Sequence, residues 1–587
     1  MKNRISFLLL IFITSHISCS QELEESRISG IIMNPTESAI QIGNQTVPIT
    51  EDGKFTFTKV LESPILLDVS YANLDWTLFL KPDCSINVLI REKKIETIEY
   101  TGDLASSNTY LLETISISNE VNSSLNKNWV KFHSQNQADY ISTIDSLKGI
   151  YLNHLTADSK RYKTFSKEFI KAWKGEINFG FNKLILRYPE RHLLYANNKV
   201  ELSLETIHYL KPSEIDNIEY LEMPSYKSYA KALIDYQSEL LVEKDTSVMH
   251  YSLKKKEAVL SIIPEIFKNQ YLKDYWLAEY LKEHIQENGI VNSKEYLNQF
   301  YESCKTEEIK IEIDKYVASE MEIRNDHDIL IYKTENEFNL EAHIFRPNNI
   351  LIVEKRPAIV IFHGGGWVSG SPTWAFKDAK HYAELGMIGI SGHYRLSNRR
   401  DVTPIEAMQD VKDLIIWLRI NADSLGIDKN RIAAAGWSAG AHLAASAAVF
   451  ADTLSNKKFS SSPNALILSS PGVDVANESW FIQMLNYRDV NPVSLSPVES
   501  VFKGLPPTIL LQGRDDNVTP LKGTKSFHDK MIEKGNYCEL WIYDNVGHLF
   551  TPSYLDDRGQ PQPDREIQKK AQKKADEFLI KLGYIVE

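Results

Sequence analysis

The chain has 587 residues, 43% of them hydrophobic and 25% charged, with a formal net charge of −12. That length predicts several domains, and the balance is ordinary for a soluble globular protein. Net negative charge argues against nucleic acid as a partner, since such surfaces need a basic footprint; the short lysine runs "LKKKEAV" and "KKAQKKADEF" read as solvated helix faces.

The N-terminus, "MKNRISFLLLIFITSHISCSQELEE", has a basic start, an apolar run from Ile5 to Thr14 and small residues before Cys19. The run is too short to span a bilayer and reads as a secretory signal over residues 1–18. Cys19 after the small Ser18 resembles a bacterial lipoprotein cleavage site, although His16 stands where that family usually has leucine. The resemblance implies Cys19 as a lipidated first residue, residues 19–26 as a tether, and a periplasmic or outer-membrane location. An ordinary signal peptide with a chance cysteine is the alternative. The other cysteines, Cys84, Cys304 and Cys538, are widely spaced, and no CxxC occurs, so no redox centre or zinc ribbon is expected.

Residues 27–104 show short alternating runs with turn signals. In "EDGKFTFTKV" a turn precedes Phe55 and Phe57 on one face, which is strand periodicity. A small antiparallel β domain is expected. On "GKFTF", "FLKPDCSINV" and "YTGDLASSNTYL" it resembles the N-terminal module of Bacteroidetes thiol–disulfide redox lipoproteins. The redox domain that usually follows is absent, so its chemistry does not carry over.

Residues 105–320 are rich in Lys, Glu, Leu and Tyr, with apolar residues at helical spacing, such as Phe169, Trp173, Ile177, Phe181 and Leu184. A helical domain is expected, with its aromatic stripes in the core. From 321 to 587 the texture changes to apolar strand-like runs, the later ones mostly separated by helical stretches. Ala407, Val411, Leu414, Ile415 and Leu418 mark one helix face. Such runs predict buried parallel strands in an α/β sheet.

The chemistry is carried by three stretches of this last segment. "RIAAAGWSAGAHLAA" places Gly436-Trp437-Ser438-Ala439-Gly440 between an apolar strand and an Ala-rich helix, and GxSxG in that setting is a nucleophile elbow. "AIVIFHGGGWVSG" runs a strand into His363 and three glycines. Bare backbone suits stabilisation of an oxyanion, which takes amide N–H donors about 3 Å from the developing charge. The candidate donors are the amides of Gly365, Gly366 and Ala439, with Gly364 serving the turn and His363 anchoring the loop. A serine hydroxyl also needs a base oriented by a carboxylate. "TILLQGRDDNVTP" offers Asp515 and Asp516 past a strand, and "LWIYDNVGHLF" offers His548 past the next. Asp516 is preferred because it lies three residues after Gly513, and Asp515 reads as its solvated neighbour. His442, one turn after Ser438, reads as packing on the nucleophile helix. Arg395 reads as supporting loops by pairing, and Asp410 as structural. No HExxH and no Cys/His cluster points to a metal.

Together these residues, with "GHYRLS", "PIEAMQDVKDLIIWLR", "LGIDKNRIAAAGWSAG" and "LPPTILLQGRDDNVTP", resemble the α/β-hydrolase superfamily, specifically its HGGGW esterases of the hormone-sensitive-lipase-like and bacterial feruloyl-esterase groups. The resemblance covers residues 325–587. It implies cofactor-free ester hydrolysis: Ser438 attacks the carbonyl, His548 moves the proton and Asp516 holds the imidazole. About thirty residues separate "LSSPG" from "LPPTILL", so no large lid is expected. Trp367, Trp480, Tyr487 and the loop "TPSYLDDRGQPQPD" are expected to line an open aromatic surface. By resemblance, acetyl or feruloyl esters of polysaccharide are the favoured substrates. A prolyl-oligopeptidase-type exopeptidase, which shares sheet and triad, is the runner-up. A glycan- or partner-binding lipoprotein with a weak hydrolase is the alternative outside that class.

Overall fold

The computed structural model describes residues 25–586 except 73, 158, 211–212, 248–250, 337, 348–354, 399–400, 452–458, 486–487, 556 and 558–560. The signal segment 1–18, Cys19 and Tyr487 lie outside the described residues. The chain divides into two compact units, one up to Tyr236 and one from Gln237. The helical stretch expected as one domain over 105–320 is therefore shared between them.

The first unit opens with eight strands: β1 (Glu25–Ile32), β2 (Ala39–Ile42), β3 (Gln45–Pro48), β4 (Lys54–Val60), β5 (Ile65–Tyr71), β6 (Leu74–Leu80), β7 (Ser85–Ile90) and β8 (Ile98–Gly102). They form two four-stranded sheets, ordered β4-β1-β7-β8 and β3-β2-β5-β6. Alternation does the sorting: β4 buries Phe55 and Phe57, and β1 buries Ile28 and Ile32. Buried Trp76 of β6 donates to the Tyr100 hydroxyl of β8 at 2.7 Å, tying one sheet to the other. One pair departs from the antiparallel expectation: β1 and β7 run parallel. The strands between them in sequence supply the long crossover that a parallel pair requires.

In the helix Lys167–Leu186, the Ser166 hydroxyl caps the N–H of Phe169, and Phe169, Trp173 and Ile177 are buried. Phe181 and Leu184, expected on the same stripe, are only half-buried, while Phe179 and Ile185 are buried. Ile185, the next residue in the same four-residue row, is buried again, so the neighbours at each position, Tyr151 against Phe181 among them, set the burial here.

The second unit carries helices Tyr251–Ile266, Gln270–Asn292, Lys294–Ser303 and Glu307–Ile323. An eight-stranded sheet follows: β9 (Asp328–Glu335), β10 (Phe338–Phe345), β11 (Arg356–Phe362), β12 (Ile388–Gly392), β13 (Ile427–Trp437), β14 (Ala465–Ser469), β15 (Thr508–Gly513) and β16 (Cys538–Tyr543). Its order is β16-β15-β14-β13-β11-β12-β10-β9. β9, β10 and β12 pair antiparallel, and the rest pair parallel. The central strands are apolar on both faces. Val360, Ala434 and Leu468 pack with helices Pro404–Ile420 and Ala439–Val449, whereas Ile361, Ala435 and Ile467 pack with Phe376–Glu384 and Arg565–Lys581. The expected helix face Ala407, Val411, Leu414, Ile415 and Leu418 is fully buried, behind a capping box of Thr403 and Glu406. This arrangement sends the loops after β11, β13, β15 and β16 to the carboxyl end of the sheet, where open α/β sheets place their ligands.

Candidate active site

Ser438 follows β13 directly and starts the helix Ala439–Val449. Its backbone sits at φ 54°, ψ −121°, a region that disfavours any side chain. The turn closes because Gly440 lies against the end of β11: a Cβ there would fall 2.1 Å from the Phe362 carbonyl. The Ser438 N–H donates to Ser469 of β14 at 3.0 Å, which fixes the elbow to the sheet.

Ser438 Oγ lies 3.1 Å from His548 Nε2, and His548 Nδ1 lies 3.0 Å from Asp516 Oδ2. All three side chains are buried or nearly so. The structure thus brings together a hydroxyl, an imidazole and a carboxylate from three separate loops, with the ring between the other two. Asp516 is held by its own loop: the amides of Val518 and Thr519 donate to Oδ1 at 3.0 and 2.7 Å, and Gln512 Nε2 donates to Oδ2 at 2.9 Å. Asp515 is exposed and accepts from Ser553 Oγ at 2.6 Å, away from the imidazole.

Thr519 was not singled out by its sequence position, yet its hydroxyl lies 3.0 Å from Asp516 Oδ2, 3.0 Å from the Ser470 carbonyl and 3.2 Å from His548 Nδ1. The signal that finds it is the Asp-x-x-Thr spacing, which suits an aspartate capping the turn it begins.

The glycine loop leaves β11 beside the elbow, since Phe362 pairs with Gly436. The missing side chain of Gly364 is replaced by Trp437, whose indole would lie 2.8 Å from a Cβ there. Gly365 has φ +111°, and a Cβ would fall 2.1 Å from the Ser369 carbonyl. The Gly365 carbonyl accepts from the amides of Val368 and Ser369, both at 3.1 Å, so the loop folds back on itself. Among the described residues, the amides of Gly365, Gly366 and Ala439 donate to no protein acceptor.

Two buried histidines brace this machinery. His363 Nδ1 contacts the Gly364 carbonyl at 2.7 Å and the Tyr394 hydroxyl at 3.1 Å, and burial pushes its pKa down to about 3. His442 accepts the Trp367 indole N–H at Nδ1 (3.2 Å), so its proton is on Nε2, facing the Leu495 carbonyl at 3.0 Å. Burial pushes its pKa down to about 4. Trp367 is accordingly not part of an open surface: it is buried against His442 and Phe481. Trp480 stays partly exposed, and its indole donates to the Gly366 carbonyl at 3.4 Å. In the loop after His548, Tyr554 is exposed. Arg395 pairs with Asp410 through two 2.8 Å contacts, and Lys333 reaches the same carboxylate at 2.7 Å.

Residues 343–531 match the BD-FAE family model. Esterase LipQ of Mycobacterium tuberculosis is 30% identical over 230 residues, 35% of this chain and 53% of that protein. Endo-1,4-beta-xylanase B of Butyrivibrio fibrisolvens is 24% identical over 312 residues, 48% of each chain. This chain spans about half the length of these curated relatives. Among solved structures, Thermogutta terrifontis esterase 2 is 30% identical, with a TM-score of 0.41, covering 45% of this chain and 97% of that one. Residues 343–531 thus resemble a BD-FAE domain, and the C-terminal part of this chain is similar to esterases.

Proposed function

We propose that this chain is an exported serine carboxylic-ester hydrolase that removes acetyl or feruloyl groups from polysaccharide. The observation that carries the hydrolytic reading is the Ser438–His548–Asp516 relay, with contacts of 3.1 and 3.0 Å. His548 Nε2 takes the Ser438 proton as Oγ attacks the ester carbonyl. The amides of Gly365, Gly366 and Ala439 receive the oxyanion. The imidazolium, held by Asp516, then protonates the leaving alcohol. Water attacks the acyl-serine with His548 as base, which releases the acid and restores the hydroxyl.

The polysaccharide reading is supported by a relative named as an endo-1,4-beta-xylanase. The exported reading is supported by the apolar run Ile5–Thr14 before Cys19.

The test is hydrolysis of p-nitrophenyl acetate by the full chain and by Ser438→Ala. Loss of more than about 10³-fold in kcat with an unchanged circular dichroism spectrum is expected. Comparable activity in Ser438→Ala defeats the assignment, and faster cleavage of an amide than an ester favours a peptidase. Acetate or ferulate released from acylated xylan reads the substrate class, and fractionation of expressing cells reads the location.

A further inference from the structure

We infer that Asp557 is a positioning residue for the hydrolytic reaction, its carboxylate clamping the loop that carries His548 to the loop that carries Asp516. The inference rests on the triad reading above and adds a residue to it.

A histidine that serves as base must hold its ring between two partners on other loops. Its ring can be no better placed than its backbone. Here that backbone is strained: Leu549 and Phe550, the next two residues, have φ 50° and 65°. Non-glycine residues persist in this region only where surrounding contacts over-determine them. Those contacts are visible. Ser470 Oγ accepts the N–H of Leu549 at 3.0 Å, and the Thr551 N–H returns to the His548 carbonyl at 3.0 Å. The Gly547 N–H adds a 2.7 Å bond to the Thr551 carbonyl, and a further anchor is Asp557.

Asp557 is buried, although it lies in a polar loop nine residues past His548. Its Oδ2 accepts the N–H of His548 and the N–H of Asn517, each at 2.9 Å. Asn517 is the residue after Asp516. One oxygen therefore joins the backbones of the two loops that supply base and acid. Asn517 Nδ2 adds a 3.3 Å contact to Oδ1. The carboxylate is pressed so close that a Cβ on Gly547 would lie 2.3 Å from Oδ2. Burial works against its ionisation, yet the donated N–H groups of Asn517 and His548 prevail and hold the carboxyl below the usual carboxylate range. The two loops also touch directly where the Asp515 N–H donates to the Val546 carbonyl at 3.0 Å; Asp557 extends that link to Asn517 and His548, the positions next to and at the reacting groups.

The charge itself is secondary to the geometry, which the choice of variants separates. Asp557→Ala removes the acceptor. Asp557→Asn keeps a carbonyl oxygen able to accept both N–H groups and removes the charge. The measurement is kcat and KM on p-nitrophenyl acetate, normalised to active sites titrated with a phosphonate ester, alongside Ser438→Ala. Asp557→Ala is expected to lower kcat per titrated site about 10²-fold, as an ångström-scale misplacement does, with KM within about twofold. Asp557→Asn is expected to stay within about fivefold of the parent. Asp557→Glu, one methylene longer, is expected to fall with the alanine variant and serves if that variant does not fold. An unchanged kcat per site in Asp557→Ala or Asp557→Glu, or losses that follow only the amount of folded protein, overturns the inference. If Ser438→Ala also remains active, the triad reading has failed instead.

Discussion

Asp516 receives donors from Gln512, Val518, Thr519 and His548, and its two oxygens are not equivalent. Oδ1 takes backbone amides of its own turn and lies 3.2 Å from His548 Nδ1, while Oδ2 lies closer to the imidazole, at 3.0 Å, and faces the Thr519 hydroxyl and the Gln512 amide. This asymmetry makes Asp516→Asn informative. If the new amide nitrogen replaces Oδ2, it donates to Nδ1 and drives the imidazole proton onto Nε2, where it faces Ser438 and blocks proton abstraction. If it replaces Oδ1, it opposes two N–H groups and the turn opens. Either way kcat should fall on the order of 10³- to 10⁴-fold with the fold retained; steady-state kinetics with p-nitrophenyl acetate checks this, and a loss under tenfold contradicts it. Ser438, Asp516 and His548 are legible in the sequence because each follows an apolar strand run at a motif spacing. The surroundings of Trp367 are not. Its neighbours His442 and Phe481 come from elements far along the chain, and an aromatic beside a glycine turn reads equally as surface or core until those elements pack.

Among the elements, the glycine loop is the one with least tolerance. Gly365→Ala must either move the Ser369 carbonyl or abandon φ +111°. Both displace the amides of Gly365 and Gly366. A drop in kcat of about 10²- to 10³-fold is expected, the usual cost of a lost oxyanion donor, with the melting temperature lowered by a few degrees. Kinetics and calorimetry on that variant measure the two effects together, and no change in either means the loop does not face the reaction. The central strands could be read from the sequence as short continuous apolar runs, and the helix Pro404–Ile420 from burial that repeats with a period near 3.6. The β1–β7 pairing could not: alternation says which face of a strand is buried, and says nothing of its neighbour's direction. Nor could the half-buried Phe181, since Ile185 four residues on is buried again and the difference lies in which neighbours cover each position.

At the scale of the whole molecule, the boundary of composition near residue 321 is visible in sequence, but the division of contacts at Tyr236 is not, because the helix Pro224–Lys244 runs through it without interruption. The second unit also stores a common sensitivity to acid. His343, His363, His393 and His442 are all buried, and burial lowers the pKa of each. Their unfolded pKa is about 6.5, so below that pH the unfolded chain binds protons that the folded chain refuses. Stability from these groups is complete above pH ~6.5 and declines as pH falls toward the folded values, by up to about 1.4 kcal/mol per pH unit for each. Burial lowers His284 and His327 of the same unit as well, whereas His381, raised by its contact with Asp576, has the opposite sign and is one against six. Burial also raises Asp378 and Glu478, which opposes the trend. Denaturant titrations at pH 7.5 and 5.5 should therefore show a markedly lower midpoint at the acid value, and equal midpoints would contradict the assignment of neutral buried imidazoles. Because burial holds His363 and His442 neutral down to about pH 3 and 4, the braces on the glycine loop and the nucleophile helix stay intact in the folded protein between pH 7.5 and 5.5.

The left-handed backbone at residue 438 has one more implication. A hydroxymethyl group is held there against the local preference of the chain, a penalty of about 1–3 kcal/mol that alanine would share and glycine would escape. The sturdiest version of this protein with respect to that one position thus lacks the proposed nucleophile. Under the hydrolytic function proposed above, any effort to harden the protein by heat selection alone, without watching turnover, will be drawn toward deleting the attacking oxygen.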